Sequence, residues 1–84
     1  MVQVRLFGLI RLDTGIKELR ANAASVKDLY PVLLREAKRA NPATTISAKD
    51  IDGCIVLVNN RQCSKHTRLK DGDTVMLMSP VCGG

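Results

Sequence analysis

The sequence predicts an α+β domain, a mixed sheet of four to five strands curled over one main helix. Three observations carry that prediction. The chain opens and closes on short stretches in which apolar and polar residues alternate. One central stretch repeats its apolar residues at helical spacing, and turn-forming residues punctuate the segments between. Strands gathered around a single helix belong to the α+β class.

The elements follow in order. From Val2 to Phe7 the alternation sets Val2, Val4 and Leu6 on one face and Gln3, Arg5 and Phe7 on the other. Gly8 and Asp13-Thr14-Gly15 bracket a connection longer than the tightest hairpin turn, and "IKELRA" supplies a second strand. Ser25 is the expected N-cap of the main helix, with Asp28 three residues on. Val26, Leu29, Leu33, Ala37 and Ala40 then build one apolar face, and Asn41-Pro42 ends the helix. Counted from Ser25, Pro31 falls in the second turn and removes a hydrogen bond there, so the start should be irregular.

"ATTISAKDIDG" reads as a polar linker, and "CIVLV" as a strand buried on both faces in the middle of the sheet. Asn59-Asn60 makes a tight turn into a short strand, "RQC". After the turn Lys70-Asp71-Gly72-Asp73, "TVMLM" forms the last strand. Val75 and Leu77 face the core there; Thr74, Met76 and Met78 face away.

Composition narrows the function. At 84 residues the chain is one domain, and with Phe7 and Tyr30 its only aromatics the core must be aliphatic. No apolar run approaches the roughly 20 residues of a membrane span, so no membrane partner is expected. The alternating start is unlike a secretory signal, which makes a cytoplasmic location the default. Cys54, Cys63 and Cys82 have neither metal-site nor CxxC spacing, so neither zinc nor a disulfide is expected. The net charge of +5 comes from scattered bases without stacking aromatics, which disfavours nucleic acid as a partner.

Catalytic constellations are lacking. His66 is the only histidine and reads as a solvated loop residue; Cys63 nearby has no orienting third group. No glycine-rich phosphate loop occurs. A stand-alone enzyme is not expected.

The remaining feature is the end of the sequence, "SPVCGG". Pro80 cannot extend the last strand, since it offers no N–H. The expected division is a folded domain over 1–78 and an extended, flexible tail over 79–84, about 20 Å long. Two glycines make an end thin enough for a narrow channel. Taken alone they favour a frayed terminus, the common fate of last residues.

The segments "VRLFGLIRLDTG", "VNNRQ" and "LKDGDTVMLMSPVCGG" resemble those of the ubiquitin-like β-grasp sulfur carriers, and among them the small subunits of molybdopterin synthase. The resemblance covers nearly the whole chain. It implies that an E1-like adenylating enzyme uses ATP to activate the Gly84 carboxylate, which a sulfur donor protein then converts to a thiocarboxylate. Pro80, Val81, Cys82 and Gly83 would insert with it into the large subunit of molybdopterin synthase. No cofactor would be bound permanently by this chain. Phe7, Arg11 and Met78 stand at positions that resemble partner contacts, and Met76 joins them by strand alternation. Gln62 stands where an apolar contact is common. Thiamine, cysteine or another sulfur pathway, and protein modification, are the alternative destinations of the same chemistry.

Overall fold

Alternation along the first strand is realised in full. In the computed structural model, which describes residues 1–79, β1 (Val2–Phe7) buries Val2, Val4 and Leu6 and leaves Gln3, Arg5 and Phe7 half-exposed. Seven further elements follow: α1 (Leu9–Thr14), β2 (Glu18–Ala21), α2 (Leu29–Ala40), α3 (Ala48–Asp52), β3 (Ile55–Val58), β4 (Arg61–Cys63) and β5 (Thr74–Met78). The five strands form one mixed sheet in the order β2-β1-β5-β3-β4. β1 runs parallel to β5, and the other pairings are antiparallel. Residues of the sheet's inner face, α2, α1 and α3 form a single buried cluster, so the sheet closes over α2 in the β-grasp manner.

The main helix begins later than its sequence suggests. Ser25 is drawn into an isolated bridge with Arg68, and the Val26 N–H donates to the Thr67 carbonyl at 3.0 Å. A turn over residues 25–28 intervenes, and Asp28, not Ser25, precedes the first residue of α2. Pro31 is therefore the third helical residue, where the N–H it lacks would have had no partner within the helix. The expected irregular start is met in that turn, while Pro31 itself removes no bond from the helix. Leu29, Leu33 and Ala37 are buried as the spacing requires, with Val26 in the preceding turn, whereas Ala40 lies at the end of α2 and is exposed.

Two short helices stand where connections were expected, so the helical layer is not a single helix. α3 occupies part of the polar linker. Its N-terminus carries a reciprocal capping box: Asp50 N–H donates to Ser47 Oγ at 3.4 Å, and Ser47 N–H to Asp50 Oδ2 at 2.9 Å. Ile46 and Ile51 plug it into the core. α1 fills the connection after Gly8, with Ile10 and Thr14 turned inward, and Gly15 closes it in the left-handed conformation.

The expectation that "CIVLV" is buried on both faces is also corrected. β3 is next to the edge, flanked by β5 and the three-residue β4, and its outer-face residues Ile55 and Leu57 are not buried among the described residues. Val56 is buried, while Ile55 on the other face is 38% exposed.

Candidate functional site

The face of the sheet turned away from α2 collects half-exposed apolar side chains into rows. Strand register places Phe7 beside Met78, and Met78 beside Ile55. The next row runs Arg5, Met76, Leu57 and Gln62. Phe7, Met76 and Met78 are thus brought together as the sequence predicts. Ile55 and Leu57 extend their patch; reading β3 as doubly buried concealed them, although alternation against "TVMLM" would have aligned them. The Arg5 guanidinium lies 5.8 Å from the centre of the Phe7 ring, and its Nε is 3.9 Å from Glu18. Its aliphatic stem borders the patch while its charge reaches the rim. Arg11 is separate from these rows, exposed on α1.

One end of this face is where β5 finishes. Ser79, which follows Met78, is fixed there by three contacts. Its N–H donates to the Phe7 carbonyl at 3.3 Å, and its hydroxyl accepts from the Ile10 N–H at 2.8 Å. The third is packing against Gly8, where an added Cβ would stand 3.4 Å from the Ser79 Cβ. Gly8 has φ +76°, a conformation that side chains rarely adopt, so the backbone there favours glycine. Neither Ser79 nor Gly8 was singled out from the sequence as an anchor. Of the expected tail over 79–84, Ser79 is thus tied to the domain, and Pro80, Val81, Cys82, Gly83 and Gly84 lie outside the described residues.

Cys54 flanks the same corner. It lies half-buried before Ile55, and its thiol donates to the Asp50 carbonyl at 3.4 Å. Burial pushes this thiol up from its ordinary pKa; the Ser79 hydroxyl opposes the shift and the Asp50 charge adds to it. It is therefore held as a thiol. Cys63 is half-buried on β4, and His66 is exposed in the loop beyond.

Among the described residues, no group of three or more His, Cys, Asp or Glu is gathered to hold a metal, and no helix is long and apolar enough to cross a membrane. A shallow cleft lined by Met1, Gln3, Arg20 and Asp71 lies at the other end of β1 from Phe7, remote from the tail's root.

The sequence profile of the ThiS family matches residues 4–84. The chain belongs to the ThiS family. Members are ubiquitin-like sulfur carriers, small proteins that are not catalytic alone. Solved structures agree with this membership. A chain from the complex of subunits 1 and 2 of molybdopterin-converting factor of Helicobacter pylori is 29% identical, with a TM-score of 0.64. The alignment covers 99% of this chain and 97% of that one. A Pyrococcus furiosus chain assigned as subunit 1 of molybdopterin converting factor is 26% identical, with a TM-score of 0.64 and coverage of 95% and 97%. Small archaeal modifier protein 1 of Methanosarcina acetivorans superposes with a TM-score of 0.73 at 24% identity, covering 99% and 95%, and speaks for the fold alone. No curated protein matches the sequence.

Within the ThiS-family frame, the patch and the anchored Ser79 acquire a common location. Both belong to the end of the sheet from which the sequence continues toward Gly83-Gly84.

Proposed function

We propose that this carrier delivers sulfur on Gly84 as the small subunit of molybdopterin synthase. The observation that carries the reading is Ser79 pinned beside the Phe7–Met78–Ile55 row. A partner can grip that apolar surface and receive the following residues together. The working arm then begins after Ser79, which the sequence assigns to the tail of 79–84 but which is bonded to Phe7 and Ile10 and so belongs with the 1–78 domain as its anchor. The likeness to the Helicobacter pylori chain, whose structure is a complex of two subunits, supports the choice of pathway.

The chemistry follows from the weakness of a carboxylate as an electrophile. An E1-like adenylating enzyme would bind ATP, and a Gly84 carboxylate oxygen would attack the α-phosphorus, releasing pyrophosphate. Sulfur delivered by a donor protein at the level of hydrosulfide would then attack the Gly84 carbonyl. The C–O bond breaks, AMP leaves with the electron pair, and a thiocarboxylate remains. In the large subunit, that sulfur would attack a carbon of the pterin precursor, whose C–O bond breaks as the oxygen leaves with the electron pair, and water would then cleave the acyl–sulfur bond and restore the carboxylate. This chain supplies no acid or base; it supplies reach and docking. ATP belongs to the activating partner, and no cofactor is resident here.

Phe7, Met76 and Met78 would carry the docking, and Arg11 would meet an acidic group at its edge. Methionine suits a surface that fits two partners in turn. Pro80, Val81, Cys82 and Gly83 would pass into the partner's channel ahead of Gly84.

Intact mass after incubation with the cognate activating enzyme, ATP and a sulfur donor tests the reading. Oxygen-to-sulfur exchange at Gly84 is the expected result, and no reaction with a competent enzyme overturns it. Co-purification of a large synthase subunit is expected as well. Exchange without that subunit would point to a thiamine, cysteine or other sulfur pathway, and lysine adducts of Gly84 to a protein modifier.

A further inference from the structure

We infer that α1 presents Leu9 and Leu12 as an apolar contact for the ATP-dependent activating enzyme, beside the tail that enzyme takes hold of. This rests on the reading of Gly84 given above. Leu9 and Leu12 are 63% and 76% exposed, whereas Ile10 and Thr14 of the same helix are buried. Three residues apart, the two leucines share the outward side of the helix. Neither contributes to the buried cluster, so the core does not account for their apolar character. Arg11 is exposed between them in sequence and forms no ion pair among the described residues.

The helix is held firmly. Thr14 Oγ1 donates to the Ile10 carbonyl at 2.7 Å, and the Gly15 N–H donates to the Arg11 carbonyl at 2.9 Å. Ser79 secures the other end through the Ile10 N–H. The leucines therefore stand in a fixed relation to the point where β5 ends.

The identity of the occupant follows from the chain beyond Ser79. Residues 80–83 separate it from Gly84, and the stretch from Ser79 to Gly84 spans at most about 17 Å when fully extended. An enzyme that closes around the Gly84 carboxylate must come down on the surface around Ser79. α1 is hydrogen-bonded to that residue, and Leu12 lies only about 4.5 Å further along the helix than Leu9. On the other side of Gly8 lies the Phe7–Met78–Ile55 row. The two apolar surfaces frame the root of the tail. The complementary surface is an apolar depression with a carboxylate placed to meet Arg11.

The test measures pyrophosphate release by the cognate activating enzyme with ATP, as a function of carrier concentration. Leu9→Gln combined with Leu12→Gln should raise KM by about tenfold or more, as expected for losing burial of two leucines. Its melting temperature should stay near that of the wild type, because neither side chain is in the core. Exposed Lys38→Gln on α2 serves as a control with unaltered KM. A chain lacking Gly84 should inhibit wild-type adenylation competitively, and should lose that inhibition when both leucines are changed. That second measurement needs no turnover by the variant. An unaltered KM and undiminished inhibition would overturn the α1 contact while leaving the Gly84 reading intact. Failure of the wild-type chain to be adenylated at all would overturn the reading itself.

Discussion

The Ser79 hydroxyl accepts a hydrogen bond from the Ile10 backbone N–H at 2.8 Å, joining the end of β5 to the first turn of α1 across 69 residues of sequence. Ser79→Ala leaves that partly buried N–H without its acceptor and should destabilise the fold by about 1 kcal/mol. Ser79→Thr keeps the hydroxyl and should lose less. Gly8→Ala should lose more, about 1–3 kcal/mol, because φ +76° with ψ −148° is backbone territory open to glycine almost alone. The new Cβ would meet Ser79 at 3.4 Å, an ordinary contact distance, so the cost is one of backbone conformation. Denaturant melts rank the three variants, and a Gly8→Ala chain as stable as the wild type would refute the backbone strain at Gly8.

Tyr30 and Lys65 share one carboxylate. The Tyr30 hydroxyl donates to Asp52 Oδ1 at 3.1 Å, and Lys65 Nζ stands 3.2 Å from the same oxygen. Burial, then the Asp52 hydrogen bond and charge, pushes the Tyr30 phenol up from 10.0 to about 12. A pKa raised in the folded state means stability fully present below pH 10.0 and lost as pH rises toward 12. Asp52 moves the opposite way: hydrogen bonds from Lys65 and then Tyr30 hold its carboxyl below the usual 3.8. Its contribution is present above that value and lost as pH falls below it. Stability should therefore decline on both flanks, and Tyr30→Phe should lessen the alkaline decline, leaving the part that the half-buried Cys54 thiol contributes. Absorbance titration of the phenolate in the folded protein checks the assignment; a midpoint at 10.0 would contradict it.

The row Phe7, Met78 and Ile55 is half-exposed, so its removal should separate docking from folding. Phe7→Ala and Ile55→Ser should each weaken binding to the activating enzyme by about 1–2 kcal/mol, the range of a partly buried interface anchor. Unfolding free energy should change by less than about 1 kcal/mol, since neither side chain belongs to the buried cluster. Calorimetric titration set beside thermal melts reads both quantities. Equal losses in the two would make the row a structural cover and not a docking surface.

Much of this was legible because period-two alternation is a local signal. Val2 to Phe7 and Thr74 to Met78 needed no partner to reveal which side chains point inward, and the fold class followed. Elements that depend on distant chain were hidden. The start of α2 was displaced because residues 25–26 pair with Thr67 and Arg68, a contact no local cap signal reports. α3 had its cue in Ser47 and Asp50, but polar residues on both sides masked it. Ile55 and Leu57 looked like core because an apolar run states hydrophobicity and not which face is covered. The patch was half legible for that reason, and the Ser79 anchor was not legible at all.

The turn between β3 and β4 separates backbone strain from side-chain bonding. Asn59 and Asn60 both have positive φ, 51° and 69°, the left-handed values of a two-residue hairpin turn. Asparagine tolerates that region, and glycine tolerates it better. The Asn60 side chain makes no hydrogen bond among the described residues, so Asn60→Gly should stabilise the protein by a few tenths of a kcal/mol, up to about 1. Asn59 differs. Its Oδ1 accepts from the Thr74 N–H at 3.0 Å and its Nδ2 donates to Asp73 Oδ1 at 2.9 Å, tying the turn to the start of β5. Asp73 is held below the usual carboxylate pKa by the Lys70 N–H and then by this amide. Asn59→Gly relieves the same strain but breaks both bonds, and should destabilise by about 1 kcal/mol. It should also move the Asp73 carboxyl back toward 3.8, readable by NMR titration. Two glycine substitutions one residue apart should thus act with opposite sign, and matching signs would show that the Asn59 bonds contribute nothing.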